Sequence, residues 1–347
     1  MRTPLARISA LAWEHPDDRV ALEKLRGIPG FDGVVRQVAS AYGGRGVRNL
    51  FLGNAVRVGP AQRPALWQRY QEALAALDWP DARADGTRPA PPELYVTRTP
   101  WMHAGAVGFE EPFIVLNADD VDLLDADEQR FLLAHELGHV MGGRLTYRTV
   151  AALLLTLGVS NLPLVVGVVL LPFQLALLDW YRKAELSADR AGLLGAQDPT
   201  TAYRAFLKLA GGAPADGDPL DVDAFLEQAA ATDPGGSGWN TVVKAMNSAL
   251  RDHPLHTLRV AELRRWAEGE GYVRILAGEY VRRDAQADAT ADERREARAE
   301  DAAREADARP EESRDPIGDP LREAAATLRD SLGRARAAFE DVFHDKR

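Results

Sequence analysis

The chain has no cysteine in its 347 residues, so no disulfide framework can hold it together, a composition compatible with a reducing compartment. It also lacks an excess of positive charge: 42 Lys and Arg stand against 52 Asp and Glu, a net charge of −10. With no basic stripe and no aromatic platform to offset that charge, nucleic acid is argued against as a partner. The opening residues, Met1-Arg-Thr-Pro-Leu-Ala-Arg-Ile-Ser-Ala-Leu-Ala-Trp13, contain no apolar core long enough for a secretory leader. A cytoplasmic location is therefore expected. Gly43-Gly44-Arg45-Gly46 reads as a loop, but it lacks the lysine and the preceding strand of a phosphate cradle. There is no internal repeat. The length suffices for one good-sized core plus appendages.

Against these absences stands one dense cluster of chemistry. Residues 131–140 read Phe-Leu-Leu-Ala-His-Glu-Leu-Gly-His-Val. On a helix, positions i and i+4 share a face about one turn apart. His135 and His139 can therefore grip one Zn²⁺, at roughly 2.0–2.1 Å each. Glu136 sits beside the first ligand, where its carboxylate can reach a zinc-bound water. Asp127 and Glu128 open the helix with acidic residues, and Phe131, Leu132 and Leu133 bury it. A chance arrangement on a surface helix would not have these apolar neighbours. They would bury three polar side chains without partners, at considerable cost.

A catalytic zinc usually has three protein ligands plus water. The third is expected in Trp180-Tyr-Arg-Lys-Ala-Glu185-Leu-Ser-Ala-Asp189-Arg-Ala-Gly192. Glu185 and Asp189 are again i and i+4, and small Ala184, Ala188 and Ala191 let this helix approach the first closely. Glu185 is assigned as the third ligand. Asp189 is assigned as the acceptor that fixes the tautomer of a liganding imidazole, His135. An exposed helix with paired charges is the bland reading of the same residues.

Taken together, these residues resemble the HtpX-like, CAAX-prenyl-endopeptidase type of zinc metallopeptidase. The resemblance rests on His135-Glu136-Leu-Gly-His139 and then Glu185-Leu-Ser-Ala-Asp189-Arg190. Residues 104–116 look like the hairpin that precedes the zinc helix in that family, and His253-Pro254 with Arg259 looks like its His-Pro…Arg element. It spans about residues 94 to 263. It implies an α+β, mostly α-helical zincin-like fold with a small sheet at the cleft, one Zn²⁺ per chain, and a polypeptide substrate. It also implies His253 as the donor to the oxyanion, supported by Arg259; read from the residues alone, His253 serves equally as a loop histidine capping the next helix. Two departures, His103 ahead of the hairpin alanine and His256 after the His-Pro pair, bear on the substrate-facing rim. His103 is assigned to that rim as possible oxyanion support.

The expected mechanism is metalloendopeptidase hydrolysis. Zinc lowers the pKa of its water toward ~7 and polarises the scissile carbonyl, and Glu136 carries the proton to the leaving amine. Residues 94–97 and 113–116 read as short strands. A strand edge beside the cleft would hold the substrate as an extended strand through backbone hydrogen bonds. The alternatives are a soluble dimeric peptidase and a zinc-bound, non-catalytic scaffold.

Between the ligands, residues 150–178 carry no charge. Ligands of one ion must lie on one side of a membrane, and two full crossings need roughly 40 residues. An apolar helical hairpin over 149–179 is therefore expected, turning at Ser160-Asn161-Leu162-Pro163. Arg144 and Arg148 before it, and Arg182 and Lys183 after it, are expected to face anionic headgroups on the cytoplasmic face of the membrane. The same hairpin could instead be buried in the core or in a homo-oligomer.

The remaining chain divides around this domain, 80–281. An N-terminal helical region, 1–79, holds helices over 17–25, 34–42 and 65–77, and residues 80–92 form a Pro-rich linker. Helices are also expected over 200–209, 220–230, 241–250 and 255–268, with 273–278 closing the fold. Residues 282–347 are a charged linker followed by an amphipathic helix built on Leu321, Leu328, Leu332, Phe339 and Val342.

Overall fold

The structure is a computed structural model, described here for residues 3–28, 30–79, 89–99, 105–157, 164–212, 219–231 and 255–283. His103, His253, the helix expected over 241–250, the hairpin turn and the C-terminal tail lie outside the described residues.

The chain is mostly helical with a small sheet, as expected. Helices α1 (Pro16–Arg26) and α2 (Phe31–Leu52) lead into strand β1 (Ala55–Arg57) and helix α3 (Pro64–Ala76). Strands β2 (Glu93–Thr97), β3 (Gly105–Val107) and β4 (Phe113–Asn117) follow, then α4 (Ala118–Leu123) and α5 (Ala126–Met141). Helices α6 (Leu145–Leu157) and α7 (Leu164–Ala196) come next, then α8 (Pro199–Gly211), α9 (Val222–Ala231), α10 (His256–Glu268) and α11 (Glu270–Leu276).

Local chemistry sets the helix starts. Pro16 and Pro64 occupy first turns, where the missing N–H costs nothing. Asn117 caps α4 and Asp198 caps α8 by accepting from backbone N–H groups. Gly43-Gly44-Arg45-Gly46 is not a separate loop. Helix α2 runs through it, kinked at Gly43, whose φ of 59° is open to a residue without a Cβ.

The sheet order is β1-β2-β4-β3, with β2 parallel to β4 and the other pairs antiparallel. Both strands read from the sequence are thus interior, and the edge strands are β1 and β3. Strand β4 is buried at every position. Its Ile114 and Leu116 join a core formed with α3, α5, α8 and α10, while Phe113 and Val115 join a second core with α1, α2, α6 and α7. A strand covered on both faces reads as a continuous apolar run rather than an alternation.

The apolar run does form two helical arms, α6 and the start of α7, and helices α6 and α7 are in contact. Their bases are covered by the chain itself: Val150, Leu153, Phe173 and Leu177 are buried with Phe31, Val35 and Val38. No helix among the described residues is long and apolar enough to cross a membrane. Two of the four basic flanks are spent inside the protein: Arg148 is buried against Glu185, and Arg144 pairs with Glu14 and Asp18; Lys183 and Arg182 reach the half-exposed Asp179 on their own helix. A guanidinium buried among carboxylates gains more from them than from distant headgroups, which is why the headgroup expectation fails for Arg148 and Arg144.

Candidate metal centre

Helix α5 is started by a capping box: the Asp125 side chain accepts from the Asp127 and Glu128 N–H groups, and Glu128 reaches back to the Asp125 N–H at 2.8 Å. The Glu128 carboxylate is fully buried and is met by Lys208 at 2.6 Å and Arg204 at 3.3 Å. This ties α5 to α8 and fixes the helix that carries both histidines.

Helices α5 and α7 then meet through small residues. A Cβ on Gly138 would lie 2.5 Å from the Ala191 Cβ, and one on Gly195 would lie 2.2 Å from the Ala134 Cβ. The alanines expected to permit this approach do so, and Gly138 and Gly195 complete it. Close contact is what brings Glu185, on a distant stretch of chain, to the two imidazoles.

The three expected ligands converge. Nitrogen and oxygen atoms of His135, His139 and Glu185 all lie within 4.8 Å of one another, and all three residues are buried. Glu185 Oε1 is 3.2 Å from His139 Nε2, and Oε2 is 3.4 Å from His135 Nε2. The ring centroids of the histidines are 4.9 Å apart with planes at 85°. The fit to a metal is testable on one atom: His139 Nε2 is buried and makes no hydrogen bond among the described residues. An orphaned imidazole nitrogen facing a carboxylate is expensive without a cation to share. Two imidazoles and a carboxylate are a borderline donor set suited to zinc.

The electrostatics divide the two histidines. Burial depresses the His135 imidazole, but Asp189 and Glu185 outweigh burial and hold it at about 9. Burial holds His139 down at about 3, reinforced by the charge of Arg148. His139 therefore offers a neutral ring, while Asp189 and Glu185 favour the protonated form of His135.

Asp189 takes its expected place: its Oδ1 is 2.9 Å from His135 Nδ1. Arg259, expected to support an oxyanion, is instead a bidentate donor to Asp189, at 2.9 Å from Nε and 2.5 Å from Nη2. Its Nη2 is also 3.4 Å from Glu185 Oε2. Burial raises the Asp189 carboxyl, yet the Arg259 charge and hydrogen bonds, with His135, hold it below the usual carboxylate range.

Glu136 is buried, and its Oε2 accepts the Ala106 N–H at 2.7 Å. Its Oε1 is 3.9 Å from His135 Nε2. This bond puts the carboxylate on the outer side of edge strand β3. Gly108, next to that strand, is pinned by Thr149, whose hydroxyl accepts the Gly108 N–H and donates to its carbonyl, each at 2.9 Å. Sequence reasoning did not find Thr149 or the site role of Arg148. Both open the apolar run, where a polar residue in the first turns of α6 was the available signal.

The comparisons agree with this geometry. Residues 68–267 match Peptidase family M48. Over 269 residues the chain is 33% identical to the "Plastoglobule-localized metallopeptidase 48, chloroplastic" of Arabidopsis thaliana, covering 76% of this chain and 74% of that protein. No solved structure matches. The resemblance read from the motifs holds at the level of the whole family. With a match over more than half its length and a His-His-Glu cluster of the right chemistry, the chain belongs to Peptidase family M48 and is a zinc metalloprotease.

Proposed function

We propose that the protein is an endopeptidase that cleaves extended polypeptide laid along β3, with Glu136 as the general base. The observation that carries this is the Ala106 N–H to Glu136 Oε2 bond, because it couples the base to the edge strand nearest the zinc ligands. Extended-strand pairing there gives affinity without demanding sequence; it requires Glu136 to yield the Ala106 N–H to the substrate, because Thr149 already holds the Gly108 N–H and carbonyl.

Bound by His135, His139 and Glu185, zinc supplies a Lewis acid for the scissile carbonyl and a lowered pKa for the attacking water. Glu136 Oε1 lies toward the ligands and accepts the proton of that water; the same carboxyl then delivers it to the leaving amine. Asp189, held by Arg259, orients His135. On the resemblance, His253 donates to the oxyanion, and His103 lines the rim. Contact of the apolar run with the cytoplasmic face of a bilayer belongs to the same proposal. It rests on the uncharged stretch 150–178; flotation with anionic liposomes tests it.

The deciding experiment compares wild type with Glu136→Gln on an unfolded protein such as casein. The variant should keep one zinc per chain and lose on the order of 10²–10⁴ in rate. If zinc-loaded wild type is as inactive as the variant, the non-catalytic scaffold is the better reading.

A further inference from the structure

Three carboxylates, Glu136, Glu185 and Asp189, are buried in one small volume with two guanidiniums, Arg148 and Arg259. The metal reading accounts for Glu185, and Arg259 answers Asp189 with a two-pronged contact. Arg148 is not explained by either. It lies on α6, its side chain is 3% exposed, and its Nη1 donates to Glu185 Oε1 at 2.6 Å. The guanidinium is 4.6 Å from the centre of the Tyr181 ring. Its Nε and Nη2 make no hydrogen bond among the described residues. Burying a guanidinium with one strong partner is costly. The partner is the third zinc ligand, and the bonded oxygen is the one that also faces His139.

We propose that Arg148 is a positioning residue that stands in for the cation: it holds the Glu185 carboxylate between the two imidazoles before zinc arrives. The argument rests on the zinc-site reading and on geometry. Without Arg148, Glu185 would keep only the 3.4 Å approaches of Arg259 and His135 to Oε2, and Oε1 would face His139 with no cation beside it. With Arg148 in place, the ligand is held and the helices can pack first. On loading, zinc takes over as the partner of Glu185, so the contribution of Arg148 to stability is largest in the metal-free protein. A residue that merely packs would matter equally in both states.

The test uses the full chain, zinc-loaded and after chelation, with melting temperature and chelator competition as readouts. In Arg148→Met the metal-free form should melt roughly 10 °C lower than metal-free wild type, as expected for a lost buried pair in a domain of this size. The zinc-loaded form should fall by less than half as much, so the zinc-induced shift widens. Zinc affinity of the folded variant should rise, since a nearby positive charge is gone. Folding only in the presence of zinc is the extreme form of the same result. A shift that is unchanged or narrower overturns the proposal. A second measurement covers the case in which the single variant does not fold: Arg148→Met with Glu185→Gln, both metal-free. Removing both charges should recover at least half of the loss, and no recovery overturns the proposal. Should wild type itself show no zinc-induced shift, the zinc site falls and this inference falls with it.

Discussion

Gly138 separates the two zinc histidines' helical turn from α7, and adding one methyl there has a calculable effect. The new Cβ would lie 2.5 Å from the Ala191 Cβ and 3.5 Å from the Ala188 Cα. Carbon atoms pack at about 3.5–4.0 Å, so α5 and α7 must part by roughly 1 Å. An exposed helical Gly→Ala change stabilises by about 0.8–1.0 kcal/mol. Here overpacking costs about 1–3 kcal/mol. The net expectation for Gly138→Ala is a loss of about 1 kcal/mol, a fall of roughly 2–4 °C in melting temperature. Zinc affinity should suffer more than stability, because the histidines ride on α5 and Glu185 rides on α7, and coordination tolerates only about 0.2 Å. A loss of at least ~10-fold in chelator competition is expected, with recovery when Ala191→Gly is added. A variant as stable as wild type with undiminished zinc affinity would refute the helix-contact argument.

Other outcomes follow from the same network. Asp189→Asn should weaken zinc binding by about 10–100-fold, and it should also destabilise the fold, because Arg259 would keep its buried charge without its carboxylate; differential scanning calorimetry and metal titration read the two effects. Glu262 is held down at about 2, chiefly by His15, against burial and with help from Arg265. Its folded pKa lies below the unfolded value of 4.5, so the stability it adds is present above 4.5 and is lost as pH falls toward 2. The group is a third exposed, so screening leaves about 1 kcal/mol. Glu262→Gln should cost that at pH 6, and the difference from wild type should close by pH 2 in urea titrations. Glu128→Ala should cost about 2 kcal/mol or more, through the capping box and two cations left facing a cavity. Urea melts check it, and a cost under 0.5 kcal/mol would contradict the capping argument.

The five residues from His135 to His139 declare their chemistry without any structure. Their spacing matches the helical repeat, and helical repeat is a local property of the chain. The same holds for Glu185 and Asp189 and for the small residues around them. The helical arms over the uncharged run 150–178 followed from a different argument: ligands of one ion lie on one side of a membrane, and the run is too short for two full crossings. What covers the run was not legible, because its partners Phe31, Val35 and Val38 lie more than a hundred residues away. Arg144 and Arg148 looked like flanks of an apolar segment, and charge alone does not say whether a guanidinium meets a headgroup or a buried carboxylate.

Sequence by itself determined which side chains could hold zinc and which carboxylate could act as base. Only the tertiary structure decided that β3 is the edge strand touching Glu136, that Arg259 serves Asp189, and that Arg148 answers Glu185. The physical reason is range. Ligand spacing and helix caps are settled within a turn or two of chain, whereas strand order and buried ion pairing depend on which distant segments the two cores bring together.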